Sequence, residues 1–350
     1  MRVFMPSRSS TALLFFCACI SILSAPGRAQ TAPVRETAPP AIDPALPIYA
    51  PASKVSGTLE GVTGMDSVES MFKAWSDAFA KYHPGSAITV VQRDVAPEER
   101  IAIGPNTDEV FHPDDSAFDT KFGYGPFRIK ICQGAFIMKS HVSAIGVFVS
   151  KANPLNQIAL DRLDAIYSDA RRRGYPADIT TWGQLGLTGE WADKPVHFYG
   201  FYGRDDVTWY FRDLVSYDAP FKASYRVPGD DMTRRTPVVA RDLMTALEKD
   251  PGAIGFGNFS YQSDGVKALA LVDEHGVISQ PVLAEMVSGH YPLQRSIYIY
   301  VNRKPGVPLS PLLREFFEFV LSKDGQGLVH VDHYLPLTAA MAAAERAKLD

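Results

Sequence analysis

Short β-type runs alternate with helical hydrophobic periods from about residue 57 to about residue 337, and this alternation constrains the fold more than any other feature of the chain. Val68, Met71, Phe72, Trp75, Phe79 and Tyr82 recur at three- and four-residue intervals, so one side of a helix is apolar. Pro84-Gly85 ends that helix ahead of a strand at 87–91, and Asp66-Ser67-Val68-Glu69 fits a capping box at its start. The same reasoning predicts helices at 160–167, 207–215, 237–248 (Thr236 as cap, Pro237 in the first turn) and 311–321 behind Ser310. Strands are predicted at 145–149, 196–199, 254–256, 268–272 and 297–301. Strands alternating with helices build crossover units, so the fold class is α/β.

The ends of the chain differ from this middle. Arg2 and Arg8 precede an apolar stretch at 12–23 that is too short to span a bilayer, and Gly27-Arg28-Ala29 is a small-residue cleavage site. Residues 1–29 therefore read as a secretory signal peptide, with an uncleaved anchor as the alternative. Phe16 and Cys17 are a poor match to the residues expected before a lipidated cysteine at Cys19. Loss of Arg2, Arg8 and Arg28 takes the net charge from -4 to about -7, and Cys132 is left as the only thiol. An acidic chain has no field to attract nucleic acid, and a single cysteine in an exported protein forms no internal disulfide. Cys132 sits in the apolar run 129–138, which predicts a buried structural thiol. Residues 30–55, with Pro33, Pro39, Pro40, Pro44, Pro47 and Pro51, are expected to be an extended linker outside the core. Residues 338–350 are expected to be an Ala-rich helical tail.

The common catalytic signatures HExxH, GxxxxGK[ST], GxSxG, the EF-hand loop and paired CxxC are absent, so we expect no catalytic residue, no metal and no cofactor. Gly255-Phe256-Gly257-Asn258-Phe259-Ser260 begins like a dinucleotide fingerprint but ends in serine with no helical period behind it, and reads as a tight loop. His330 and His333 have only Asp332 near them as a further ligand type and read as a surface pair.

Two helix starts stand out. Gly64-Met65-Asp66-Ser67 precedes the first helix, and Tyr202-Gly203-Arg204-Asp205-Asp206-Val207-Thr208 leads into another. Free amides and the positive end of the dipole make such starts anion sites, and an arginine and a threonine suit a small oxyanion. Asp66 alternatively does no more than cap its helix.

Several ordered segments resemble the periplasmic substrate-binding proteins of phosphate ABC transporters, the PstS type. They are residues 64–79 (GMDSVESMFKAWSDAF), 144–169, 180–200, 202–211 (YGRDDVTWYF), 250–261 (DPGAIGFGNFSY), 291–306 (YPLQRSIYIYVNRKPG), 319–329 and HYLPL at 333–337. The resemblance implies a two-lobed type II periplasmic-binding fold, each lobe a mixed sheet flanked by helices, joined by crossing strands near 142–149 and 291–300. It divides the chain into a discontinuous lobe 1 (56–144 plus 294–337) and lobe 2 (145–293). It also implies ligand residues: Asp66 and Ser67 in the first loop, Asn106 and Thr107 in a third, and Arg204, Asp206 and Thr208 in lobe 2. The usual Ser-Gly-Thr is replaced here by Asp206-Val207-Thr208. Asp66, Asp205 and Asp206 against one arginine make an acidic site for a dianion unless capping turns some of them away. The aromatics at Phe198, Tyr199, Phe201, Tyr202, Trp209, Tyr210 and Phe211 are expected mostly in the core, with Tyr199 or Tyr202 free to line the cleft.

The implied protein is a non-enzymatic, monomeric, periplasmic binding protein that captures phosphate or a related oxyanion, with an ABC permease as partner. The alternatives are a secreted phosphoester hydrolase on the same scaffold and an envelope binding module with a diverged ligand.

Overall fold

The computed structural model describes residues 41–64, 68–93, 100–104, 116–136, 143–203, 205–229 and 236–350. The expected signal peptide, Cys17, Cys19 and the start of the linker lie outside the described residues. Among the described residues the strands form three sheets.

The first sheet has the order β2-β1-β3-β12-β4. Its strands are β1 (Gly57–Thr63), β2 (Ser86–Gln92), β3 (Arg100–Ile103), β4 (Phe127–Gln133) and β12 (Ser296–Val301). β1 and β2 are parallel, joined by α1 (Glu69–Tyr82), which buries Met71, Phe72, Trp75 and Phe79 as its period requires. Each of those large side chains contributes about 1.5–3 kcal/mol on leaving water. α7 (Pro311–Val320) packs beside α1, with Phe72, Trp75 and Phe79 all in ring contact with Phe316. Ser310 caps α7 by accepting the Leu313 amide at 3.3 Å, and Pro311 opens the first turn. A short α2 (Ser116–Phe122) buries Phe118 against Val62, Ala102 and Tyr300. Cys132 on β4 is fully buried, and burial pushes its thiol up.

The second sheet has the order β7-β8-β5-β9: β5 (Ile145–Ser150), β7 (His197–Tyr199), β8 (Ala253–Asn258) and β9 (Val266–Ala268). A small third sheet joins β6 (Gln157–Ala159), β10 (Ala270–Val272) and β11 (Ile278–Ser279). The helices α3 (Leu160–Tyr167), α4 (Asp206–Ser216), α5 (Thr236–Lys249) and α6 (Leu283–Ser288) belong to this half of the chain. Its core centres on Phe211 stacked on Phe256 at 3.8 Å, with Tyr167 and Phe221 edge-on to Phe256. The two large cores share no residue.

The chain passes twice between the sheets. It leaves β4 at Gln133 and enters β5 at Ile145, then returns between Tyr291 and Ser296. The two passages are bonded side by side: the Gly134 amide donates to the Arg295 carbonyl at 2.9 Å, and the Ile145 amide to the Leu293 carbonyl at 3.0 Å.

Four expectations need correction. The segment from residue 42 to residue 55 is not a free tether. Leu46 and Tyr49 are buried in the first core, the Tyr49 amide donates to Asp324 Oδ2, and Asp43 accepts the Ala339 amide at 2.8 Å. The strap turns at Asp43–Leu46, where the Leu46 amide donates to the Asp43 carbonyl at 3.2 Å, and then lies on the core. The expected tail is likewise docked: α9 (Ala339–Arg346), which follows the short α8 (Lys323–Gln326), buries Ala342, and Leu349 closes the same core. The run from Gly255 to Asn258 is not a loop but β8, because its glycines admit close neighbours; a Cβ at Gly255 would lie 3.0 Å from Leu243. The predicted strand at 268–272 divides at Leu269 between two sheets.

Candidate functional site

β7 and β8 are parallel and β5 runs against β8, with Ile145 opposite Asn258. The C-terminal ends of β7 and β8 therefore share an edge with the start of β5. In the first sheet β1 opposes β3, β3 parallels β12 and β12 opposes β4, with Ser296 facing Gln133. The C-terminal ends of β1 and β4 thus share an edge with the start of β12. Both passages leave from these two edges, and α1 and α4 follow the ends of β1 and β7. The carboxyl ends of such strands are where open α/β sheets bind ligands.

Buried polar atoms gather at this seam. Among the described residues Ser143 Oγ, Tyr202 Oη, Asn258 Oδ1, Ser260 Oγ and Gln294 Oε1 are buried without a hydrogen-bond partner, and the buried Thr208 hydroxyl lies against the Tyr225 phenol. Ser143 precedes β5, Tyr202 follows β7, Asn258 and Ser260 end and follow β8, and Gln294 is on the return passage. A buried polar atom left unpaired costs about 1–3 kcal/mol, so their convergence marks a place that stabilises a polar ligand. Thr208 is 1% exposed in the first turn of α4. The nearby Tyr225 phenol spends its hydrogen on the Phe201 carbonyl at 2.7 Å, and burial pushes that phenol up, keeping it neutral.

Asp205 is the N-cap of α4, its Oδ1 accepting the Val207 amide at 3.1 Å. One of the three suspect carboxylates is thus turned onto its own helix. Asp206 opens α4. Asp66, Ser67, Asn106, Thr107 and Arg204 lie outside the described residues, so of the expected ligand set the fold brings Thr208 and Asp206 to the seam.

α1 starts differently from expectation. It begins at Glu69 with Val68 at the N-cap, and Asp66 and Ser67 of the expected capping box lie outside the described residues. The amide of Met71 in the first turn donates to Asp332 Oδ2 at 2.7 Å. Asp332 is buried while His330 and His333 are exposed, so the histidines do form a surface pair and the aspartate between them caps a helix 261 residues away in sequence. No local pattern announces such a cap.

Sequence reasoning also passed over Arg295. It is 2% exposed on the return passage, with its guanidinium 4.0 Å over the ring of Tyr210 on α4. Its neighbour Gln294 donates through Nε2 to the Gly134 carbonyl at 2.9 Å, tying the two passages together. Only the segment 291–306 hinted at either residue. Among the described residues no three His, Cys, Asp or Glu side chains are grouped as a metal site.

A family model described as a PBP superfamily domain matches residues 115–324. Over 309 residues the chain is 33% identical to the phosphate-binding protein PstS of Pseudomonas aeruginosa strain PAO1, covering 86% of this chain and 90% of that one. It is 29% identical to the protein SphX of Synechococcus elongatus over 210 residues, 58% of this chain and 57% of that one. The solved structure of PstS from Borrelia burgdorferi superposes with a TM-score of 0.50 at 13% identity, covering 81% of this chain and all of that one, a likeness of fold. With its mixed sheets and flanking helices the chain has the type II periplasmic-binding architecture, and it belongs to the PstS family of the PBP superfamily.

Proposed function

We propose that this protein binds phosphate, or a closely related inorganic oxyanion, at the seam between two lobes and delivers it to an ABC permease. The observation that carries the reading is the buried Thr208 hydroxyl in the first turn of α4, at the shared edge of β7, β8 and β5, with other buried polar atoms left unpaired on the same edge. Amides at a helix start and a hydroxyl in its first turn supply donors for a small oxyanion, and the dipole favours its charge. The relationship to proteins named for phosphate binding supports the same ligand.

The lobes are residues 56–144 with 294–337, and 145–293; the bonded passages act as the hinge, and closure brings the first turns of α1 and α4 together over the anion. In this scheme Asp66, Ser67, Asn106 and Thr107 contact the ligand from lobe 1, and Arg204, Asp206 and Thr208 from lobe 2. The protein works as a monomer in the periplasm after loss of its signal peptide. Among the described residues no helix is long and apolar enough to cross a membrane. A binding protein of this kind performs no chemistry on its ligand.

Calorimetry with inorganic phosphate tests the reading. We expect micromolar or tighter binding, on the order of -8 kcal/mol, with strong loss in Arg204→Ala. Absence of heat with phosphate and sulfate refutes it.

A further inference from the structure

Asn258 ends β8, and the sheet fixes which way its side chain points. Alternate residues of a strand share a face, so Asn258 lies on the face that carries Phe256. α4 covers that face, because Phe211 stacks on Phe256 at 3.8 Å, while a Cβ at Gly255 or Gly257 on the other face would contact Leu243 of α5. Thr208 is one turn before Phe211 on the same side of α4. α4 starts just past the C-terminal end of β7, which is parallel to β8, so one turn back along the helix and two residues on along the strand lead the same way. Those steps are about 4.5 Å and about 6.6 Å, which sets the Asn258 carboxamide against the first turn of α4 on the side of Thr208. The Tyr225 phenol links the same groups: it bonds Thr208, and a Cβ at Gly200 would meet both its hydroxyl and the Phe256 ring. Asn258 is 7% exposed, and its Oδ1 is enclosed with no hydrogen-bond partner. Ile145 faces it across the ladder, and Ser143, two residues before Ile145, is fully buried with its hydroxyl unpaired as well. A buried carboxamide left unpaired is unfavourable unless a polar group meets it.

We propose that Asn258 is a ligand-contacting residue of the oxyanion site, supplied by the sheet rather than by a helix-start loop, and that its amide N–H donates to the anion held at the first turn of α4. The proposal rests on the oxyanion reading given above. A carboxamide carries donors on one end and an acceptor on the other, so rotation about its last bond turns the donors toward an anion. Being neutral, it adds a bond to the ligand without leaving a buried charge to be balanced when the site is empty. An anion between the amides of α4 and the end of β8 is thus bonded from two sides.

Calorimetry with inorganic phosphate on the wild type, Asn258→Leu and Asn258→Asp tests this at about pH 8, where an aspartate is ionised. The melting temperature of each variant is recorded without ligand. Asn258→Leu keeps the approximate volume and removes the donor, so phosphate should bind on the order of 10- to 100-fold more weakly. Its melting temperature should hold or rise, because no polar side-chain atom is left unpaired there. Asn258→Asp keeps the shape, cannot donate and carries a negative charge, so it should lose more affinity than Asn258→Leu. If the carboxamide only packed the end of β8 or held a water, the variants would shift the melting temperature and still bind phosphate like the wild type. Wild-type affinity in either folded variant overturns the proposal and leaves the oxyanion reading standing. Where these variants do not fold, Asn258→Ala, which also lacks the donor, decides by a loss of about tenfold or more. Absence of heat with the wild type refutes the oxyanion reading itself, and this proposal with it.

Discussion

Replacing Tyr49 by phenylalanine removes one hydroxyl and leaves the ring in place, packed edge-on against Tyr82 at 5.1 Å and Phe319 at 5.3 Å. That hydroxyl donates to Glu315 Oε2 at 2.7 Å and lies 2.6 Å from His83 Nε2. His83 Nδ1 accepts the Val55 amide at 3.3 Å, so the neutral ring carries its hydrogen on Nε2 and donates it to Tyr49. Glu315 also accepts the Ser53 amide at 2.7 Å, and the three side chains fasten the strap at 49–55 to α1 and α7. The substitution deletes one bond to a charged acceptor, worth about 1.5–3 kcal/mol, and leaves a buried imidazole N–H unpaired at about 1–3 kcal/mol. The two losses share one hydroxyl and overlap, so the expected destabilisation is about 2–4 kcal/mol. For roughly 300 folded residues the unfolding entropy is about 0.6 kcal/mol per degree, which converts this to a fall of about 3–6 °C in melting temperature. Calorimetry or circular dichroism on Tyr49→Phe, Glu315→Gln and the double variant measures both the loss and the coupling, which should be about 1–2 kcal/mol. A loss below about 0.5 kcal/mol, or additive single variants, refutes the account of the strap as held by this chain of bonds.

The same group makes stability depend on pH: burial holds His83 below the ordinary imidazole value of 6.5, only partly offset by Glu315. The unfolded chain then binds the proton first, so this contribution is complete above about pH 6.5 and is lost as pH falls through the folded value; His83→Gln should flatten a denaturation series over that window. Thr208→Val preserves shape and removes a buried hydroxyl, so phosphate affinity should fall about 10- to 100-fold while the melting temperature changes little; calorimetry showing unchanged affinity would remove Thr208 from the site. Asp332→Ala deprives the Met71 amide of its acceptor and should cost about 0.5–2 kcal/mol in urea unfolding, with Asp332→Asn costing less. Cys132 should resist a thiol reagent in the native protein and react only on unfolding, since it is fully buried with its thiol pushed up; rapid native labelling contradicts the core placement.

Elements whose stability is written in their own periodicity were legible in the sequence. The helix read at 160–167 coincides with α3, and α1, α4, α5 and α7 lie within a few residues of their expected places. β1, β3 and β4 went unread for a physical reason. GTLEGVT is weakly apolar and FRIKICQ mixes cations into its alternation, and each becomes a strand because neighbours from residues 86 to 301 complete its ladder. The strap was misread on the same grounds. Its prolines suggest an open linker, but Tyr49 is packed on Phe319 and bonded to Glu315, 266 residues away in sequence. Local composition specifies conformation, whereas docking is decided by a distant partner.

The site divides along the same line. Helix starts with Asp, Arg and Thr could be found from residue type and spacing, and Thr208 and Asp205 occupy such a start in α4. The polar atoms that converge there come from the ends of β7, β8 and β5 and from the return passage, and only sheet register brings them together. Charge gives the sharper case. Counting carboxylates along residues 202–208 makes the loop look acidic, yet Asp205 accepts the Val207 amide and is turned onto its own helix. A count along the chain takes no account of where each carboxylate is directed. The relevant balance is taken over all the groups that both sheet edges bring together, not over one stretch of chain.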